Sequence, residues 1–485
     1  MKKERIASNV IEFFIAVSFV MNVFANVISF YLTGNKNDQI RKIISHGIIV
    51  GSVLVLALYA FLKLIRSDRE SRKKIFFCVL PLAIMMLLCV GGGLRTRGRK
   101  DLMIHLLACC SYSLPLVCGA VYIMAENRFE HVVHKIKYVA VMLTPYWGMA
   151  LCCYWKLKFD VDSLADYGGI LYLSVGYSAT IIYSFLIYDL RLYFYPKKSN
   201  RISLGLIFGE MALCSTMVIM SGGRGPLISW VVVNITAFIL QLIYKERKVI
   251  GGIFFSIMVV VIVCIAVPSD NAALNRQFSF LQGKESDDLK QTVTSEAAKE
   301  FLEKLYSESE AEGGMKEVTV KAQKESERHT TGNMDEIASE KTTEMEEIIN
   351  SVLSGSMSRS YLWQLAIKEV QQRPLRGMGP LGFQIKYQTY PHNILLECMA
   401  DFGIPVFILF VGACGVIIIV LFRRSGRVSM YRGLIIILSG QAVLAMISGC
   451  FYTFEFLMFA AVIVIWNLYD NRGYRKKNNQ KNAFG

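Results

Sequence analysis

Apolar residues gather into runs of about 18 to 25 along most of the chain, the length an α-helix needs to cross the hydrocarbon core of a bilayer. Such runs lie near 9–33, 43–65, 75–93, 102–124, 138–154, 168–190, 202–221, 226–244, 249–268, 394–422, 433–450 and 454–469. Only helices satisfy their own backbone groups within one segment in lipid. The pattern therefore predicts an all-α polytopic membrane protein with about 12 transmembrane helices.

Between the ninth and tenth runs the pattern changes. Residues 284–350 are rich in Glu, Lys, Ser, Thr and Ala and offer little apolar surface, so they are expected to be mobile and receive no chemistry. The stretch YLWQLAIKEVQQ then places Leu362, Trp363, Ala366, Ile367 and Val370 on one helical face, which predicts an amphipathic helix over 359–372 lying on the membrane surface. Pro374, Gly377, Gly379 and Pro380 end that helix. The expected division is a membrane domain over 1–268, a large loop over 269–393, three spans over 394–469 and a basic tail over 470–485.

Charge orients this arrangement. With the N-terminus inside, short cytoplasmic segments hold 27 Lys and Arg against 10 in the short outward loops. Positive loops are retained in the cytoplasm, so both termini are expected there and the large loop outside. The start MKKER precedes a long first run without a small-residue cleavage site, which predicts a retained anchor.

The chain is 54% hydrophobic and 19% charged, too apolar for a soluble protein of several domains. Its net charge of +15 is unevenly spread, because residues 269–358 contain 19 of the 38 acids and 10 of the 53 bases. The bases lie mostly where cytoplasmic lipid head groups would be, so the charge does not imply nucleic acid. All 12 cysteines fall inside apolar runs, without a disulfide framework or zinc spacing. Neither a phosphate-binding glycine loop nor a dinucleotide fingerprint appears, and the first outward loop has a single acid, Asp38. No cofactor and no metal are therefore expected.

Two turns carry the main candidate chemistry. Arg224, in Ser221-Gly222-Gly223-Arg224-Gly225-Pro226, stands at an outward junction, where a guanidinium fork suits phosphate oxygens and glycines permit close approach. An arginine reaching to the interface above a glycine turn is the structural alternative. His392 follows Pro391 and is expected in the first turn of the tenth span, with proline at the first helical position. A neutral imidazole there can act as a base. Asn393 and Glu397, four residues apart, offer polar contacts to a bound sugar or an orienting bond for the helix. Arg359 and Arg376 flank the amphipathic helix. Arg95 and Arg97 lie in an outward basic cluster that suits an anionic head group, or is simply a solvated loop.

Taken together, SGGRG, then SR…W…PLRGMGPLGF, then HNILLECMADFG resemble the motifs of the O-antigen ligase and O-antigen polymerase superfamily, in order and on one face. The resemblance covers about residues 202–450. It departs from the family pattern at Gly223, where a serine is usual, and at Ile404-Pro405. What it implies is a C-type glycosyltransferase membrane fold in the cell membrane with its active site on the extracytoplasmic side. Arg224 and Arg359 would hold the diphosphate of an undecaprenyl-pyrophosphate-linked oligosaccharide donor, and His392 would activate a saccharide acceptor. The implied reaction is metal-independent, inverting glycosyl transfer that polymerises repeat units of O-antigen or capsule. A flippase and a chain-length regulator would be its partners in the bilayer. The alternatives are a ligase moving finished glycan to lipid A core and, in another class, a flippase of the same lipid-linked saccharide. A flippase would be expected to show repeated halves, which the sequence lacks.

Overall fold

A computed structural model describes residues 2–33, 38–95, 100–156, 172–195, 201–268, 271, 273–275, 359–387, 389–453 and 455–483. The acidic stretch 284–350 lies outside the described residues. The helices are α1 (Lys2–Ser18), α2 (Met21–Thr33), α3 (Asp38–Arg66), α4 (Arg69–Arg95), α5 (Lys100–Glu126), α6 (Phe129–Lys156) and α7 (Tyr172–Phe194). They continue with α8 (Arg201–Met220), α9 (Arg224–Ile243), α10 (Arg247–Ala266), α11 (Arg359–Gln372), α12 (Gly382–Tyr387), α13 (Ile394–Ser425), α14 (Ser429–Ile447) and α15 (Glu455–Ala483). No strand occurs among the described residues.

Helices lie along each of the twelve apolar runs among the described residues, two of them sharing the first run. Seven of these helices are long and apolar enough to cross a membrane, and the bent pair α1 and α2 makes an eighth candidate. The protein is thus an all-helical, polytopic membrane protein. Large apolar side chains such as Leu54, Ile265 and Leu409 are exposed on the helices, a distribution that suits lipid rather than water.

The first run is not one straight helix. The chain turns by 103° between Ser18 and Met21, where Ser18 Oγ donates to the Ile15 carbonyl at 2.7 Å. Such a side-chain bond competes with the helical ladder and favours a break. Phe19, at the corner, is held between the rings of Phe185, Phe456 and Phe459, with centroids 4.7, 5.7 and 5.2 Å away.

The chain divides into two compact units, Met1–Phe278 with Ala366–Gly485, and Ser279–Leu365. Of the second, the described part is the opening of α11, from Arg359. In the first, α7 is central and packs on α6, α8, α9, α10 and α14. At one end of this bundle Glu246 accepts from Arg191 Nε at 2.9 Å and from Arg432 Nη1 at 2.7 Å, while the Arg432 guanidinium lies 3.7 Å over the Tyr244 ring. Asp189 there meets Lys137 at 3.4 Å and also His134. These buried pairs tie the last turns of α7 and α9 to the starts of α10 and α14.

Helix α11 forms where the periodicity predicts, and it also buries one side within the protein. Leu362, Ala366 and Glu369 are buried, whereas Trp363 and Ile367 are exposed. Glu369 can occupy a core position because it accepts from Lys386 and, at 2.6 Å, from Tyr387. Burial pushes its carboxyl up, yet these two hydrogen bonds and the Lys386 charge outweigh that and hold it below the ordinary value. A lowered folded value means the contact stabilises above the ordinary carboxylate range near about 4.3 and is lost as pH falls through the folded value. We expect hydrogen-exchange protection at residues 382–387, taken relative to the intrinsic rate at each pH, to be high at neutral pH and to fall below about pH 4, and Lys386→Ala to move that onset to higher pH.

Candidate functional site

The end of the bundle opposite the Glu246 cluster is built from four turns. The first is Ser221–Arg224. Gly222 adopts φ 68°, which a side chain would strain, and Gly223 caps α9 without any side-chain bond. The turn is seated on α7: a methyl group at Gly225 would come within 2.6 Å of Tyr177 Oη, and Thr180 Oγ1 donates to the Pro226 carbonyl at 3.3 Å. Arg224 is therefore the exposed first residue of a helix whose flanks, Gly223 and Gly225, are buried. A guanidinium there adds to the partial positive charge of the α9 N-terminus.

The second turn precedes α13. Asn393 is its cap, with Oδ1 accepting from the Leu395 and Leu396 amides at 3.0 and 3.1 Å. The helix thus begins at Ile394, and Pro391 and His392 stand before the cap rather than within the first turn as expected, because Asn393 outcompetes proline for the helix start. His392 is half-buried, adopts φ 54°, and stacks on Tyr390 with ring centroids 4.3 Å apart. A left-handed conformation at a residue other than glycine costs about 1–3 kcal/mol and is retained where the surroundings impose it.

The third turn is Pro374–Leu381. Gly377 and Gly379 adopt φ 61° and 87°. The loop lies backbone to backbone on the kink of α13, where Gly403 adopts φ 78°. Met378 N and Gly379 N donate to the Ala400 and Asp401 carbonyls at 2.9 and 2.7 Å, and Ile404 N donates to the Pro374 carbonyl at 2.8 Å. The backbone groups freed by the break at Gly403-Ile404-Pro405 are thereby used. Leu381 in turn presses on Gly92 of α4.

The fourth turn, Ser448–Thr453, joins the others. Tyr177 Oη and Ser448 Oγ lie 2.5 Å apart. Phe451 N donates to Glu397 Oε2 at 2.6 Å, and Gln384 Nε2 donates to Glu397 Oε1 at 2.7 Å. Tyr452 Oη donates to Asp401 Oδ2 at 2.5 Å and accepts from Leu381 N at 2.6 Å. Burial and the two neighbouring carboxylates push the Tyr452 hydroxyl well above its ordinary value, so it stays a donor. A chain of contacts thus runs from Gly225 through Tyr177 and Ser448 to Glu397, one turn into α13 from His392. Arg224 and His392 stand at the same end of the bundle.

The other candidates are distributed around this frame. Asn393 commits its side-chain oxygen to capping, and Glu397 is fully buried and fully engaged, so both set the position of His392. Arg376 is exposed on the Pro374 turn. Arg95 is the last residue of α4, three residues beyond Gly92, and Arg97 lies outside the described residues. Arg359 opens α11 and belongs to the second unit. Sequence reasoning did not single out Asp401, Gln384, Tyr452 or Tyr177. The placement of Asp401 four residues after Glu397 was the one available signal.

Residues 211–411 match the family described as O-antigen ligase. No curated protein matches the chain.

Proposed function

Because residues 211–411 match the family described as O-antigen ligase, we propose that the chain polymerises undecaprenyl-pyrophosphate-linked repeat units of a surface polysaccharide on the outer face of the cytoplasmic membrane. The observation that carries this is the meeting of the Arg224 and His392 turns at one end of the bundle through Tyr177, Ser448 and Glu397. In this reading twelve helices span the bilayer with both termini inside, and that end faces outward.

The reaction follows from the side chains. His392 takes the proton from an acceptor hydroxyl, and the oxygen attacks the anomeric carbon of the donor. The bond from that carbon to the diphosphate oxygen breaks as the new one forms, inverting the centre. Arg224 stabilises the charge arriving on the departing diphosphate, the service a divalent metal gives elsewhere. Asn393 and Glu397 hold the turn that carries His392, while Arg376, Arg95 and Arg97 attract the anionic head group.

A ligase that moves finished glycan to lipid A core or another acceptor is the second reading, favoured by the description of the matched family. Glycan analysis of a deletion strain separates the two. Single-repeat glycan is expected for a polymerase, and long unligated chains would instead establish the ligase. In membrane extracts, Arg224→Lys keeps the charge without the fork and is expected to slow glycan extension about 10–100-fold. Unchanged extension would remove Arg224 from the site.

A further inference from the structure

The corner between α1 and α2 borders an open cavity of about 260 Å³, lined also by α7, α14, the turn after α14 and the start of α15. Its lining sets Ser18, Asn22, Ser178, Gln441, Ser448 and Glu455 among apolar side chains such as Phe19, Leu444 and Phe456. Broken helices within membranes commonly leave such spaces where polar ligands bind.

Three features mark this cavity as a place made for a ligand. Gln441 and Ser178 are 5% and 6% exposed, and neither makes a hydrogen bond among the described residues. Buried polar side chains are nearly always partnered, so donors and acceptors left over and lining one cavity imply an occupant that completes them. Glu455 adds a carboxylate to the same wall and makes no ion pair or hydrogen bond among the described residues. The cavity also adjoins the turn of Arg224, since its wall residue Tyr177 contacts Ser448 at 2.5 Å and lies against Gly225.

We infer that this cavity is the acceptor subsite, seating one hydroxyl-rich sugar ring whose hydroxyls donate to Glu455 and exchange hydrogen bonds with Gln441 and Ser178. The inference rests on the glycosyltransferase reading above and adds the residues that choose the acceptor. Uncharged polar groups with a single carboxyl group suit a polyol and not a phosphate, since no Lys or Arg among the described residues lines the cavity to hold one. The volume is at the small end of ligand sites, which run about 300–1,000 Å³, so one ring enters while the rest of the acceptor stays outside.

The test uses the full-length chain in membranes, with the strain's own repeat unit freed from its lipid by mild acid as acceptor. Glu455→Gln is expected to raise the KM for this free saccharide about tenfold or more, with the donor KM and the rate at saturating acceptor within about twofold of wild type. Glu455→Asp is expected to recover part of the loss, and Gln441→Leu to behave like Glu455→Gln. An unchanged acceptor KM in both Glu455→Gln and Gln441→Leu overturns the subsite. If the wild-type chain transfers no sugar at all, the enzyme reading fails separately. Saturation-transfer NMR of the free saccharide on the detergent-purified protein then decides. A signal lost in Glu455→Gln sustains a saccharide site, and no signal on the wild type overturns it.

Discussion

Chains carrying His392→Ala or His392→Gln are expected to reach the membrane in wild-type amounts and to extend lipid-linked glycan about 10²–10⁴-fold more slowly. The size follows from the role: a base in hydrogen-bonding reach of the acceptor hydroxyl acts in the transition state, so its removal lowers the rate rather than substrate binding. The anchors of the α13 start lie elsewhere, and the stacking on Tyr390 is a local contact that the substitution removes. Asn393 caps α13 and Glu397 fixes its first turns, and neither bond passes through His392. The left-handed backbone at 392 supplies a control, because His392→Gly removes a local strain while also removing the base. Its stability is expected to fall within about 1 kcal/mol of wild type, the relief being set against the lost stacking on Tyr390, with the same loss of extension. Radiolabelled extension in membranes, scaled to folded protein, checks both values. Wild-type extension by His392→Ala would remove the proposed base.

The second large effect is on the frame. Gly377→Ala and Gly403→Ala should each destabilise the protein by about 2–4 kcal/mol. A methyl group at Gly377 would lie 2.5 Å from the Asp401 carbonyl, and one at Gly403 would lie 2.7 Å from the Leu375 carbonyl. The obstacles are backbone atoms on both sides, so no side chain can swing aside. Both residues also hold positive φ, which costs alanine about 1–2 kcal/mol by itself. Thermal unfolding in detergent reads the loss, with Gly412→Ala in the open part of α13 as the neutral comparison. Equal midpoints for Gly377→Ala and Gly412→Ala would mean that the loop does not pack on the kink.

These effects show which parts of the molecule are legible along the chain. Transmembrane helices are, since a run of apolar residues is a local property and lipid enforces the helix. The special backbone around Arg224 and His392 is as well, because glycine and proline announce turns, and Gly222 and His392 do adopt positive φ. The roles of Asn393 and Glu397 are not. Glu397 meets Phe451, 54 residues away, and Asp401 meets Tyr452, 51 residues away, and no local pattern encodes such pairs. The burial of Glu369 is hidden for the same reason, since it becomes a core residue only once Lys386 and Tyr387 arrive to bind it. The corner at Ser18 is hidden because its apolar run continues unbroken through it.

The most direct test of the central claim, that Arg224 and His392 serve one diphosphate sugar at the outer face, is labelling of single cysteines at these positions in intact cells. Arg224→Cys and His392→Cys are both expected to react with a membrane-impermeant maleimide, above the labelling of the parent chain, and to be shielded by added undecaprenyl-pyrophosphate-linked saccharide. Reaction of either position only after the membrane is permeabilised would contradict the account.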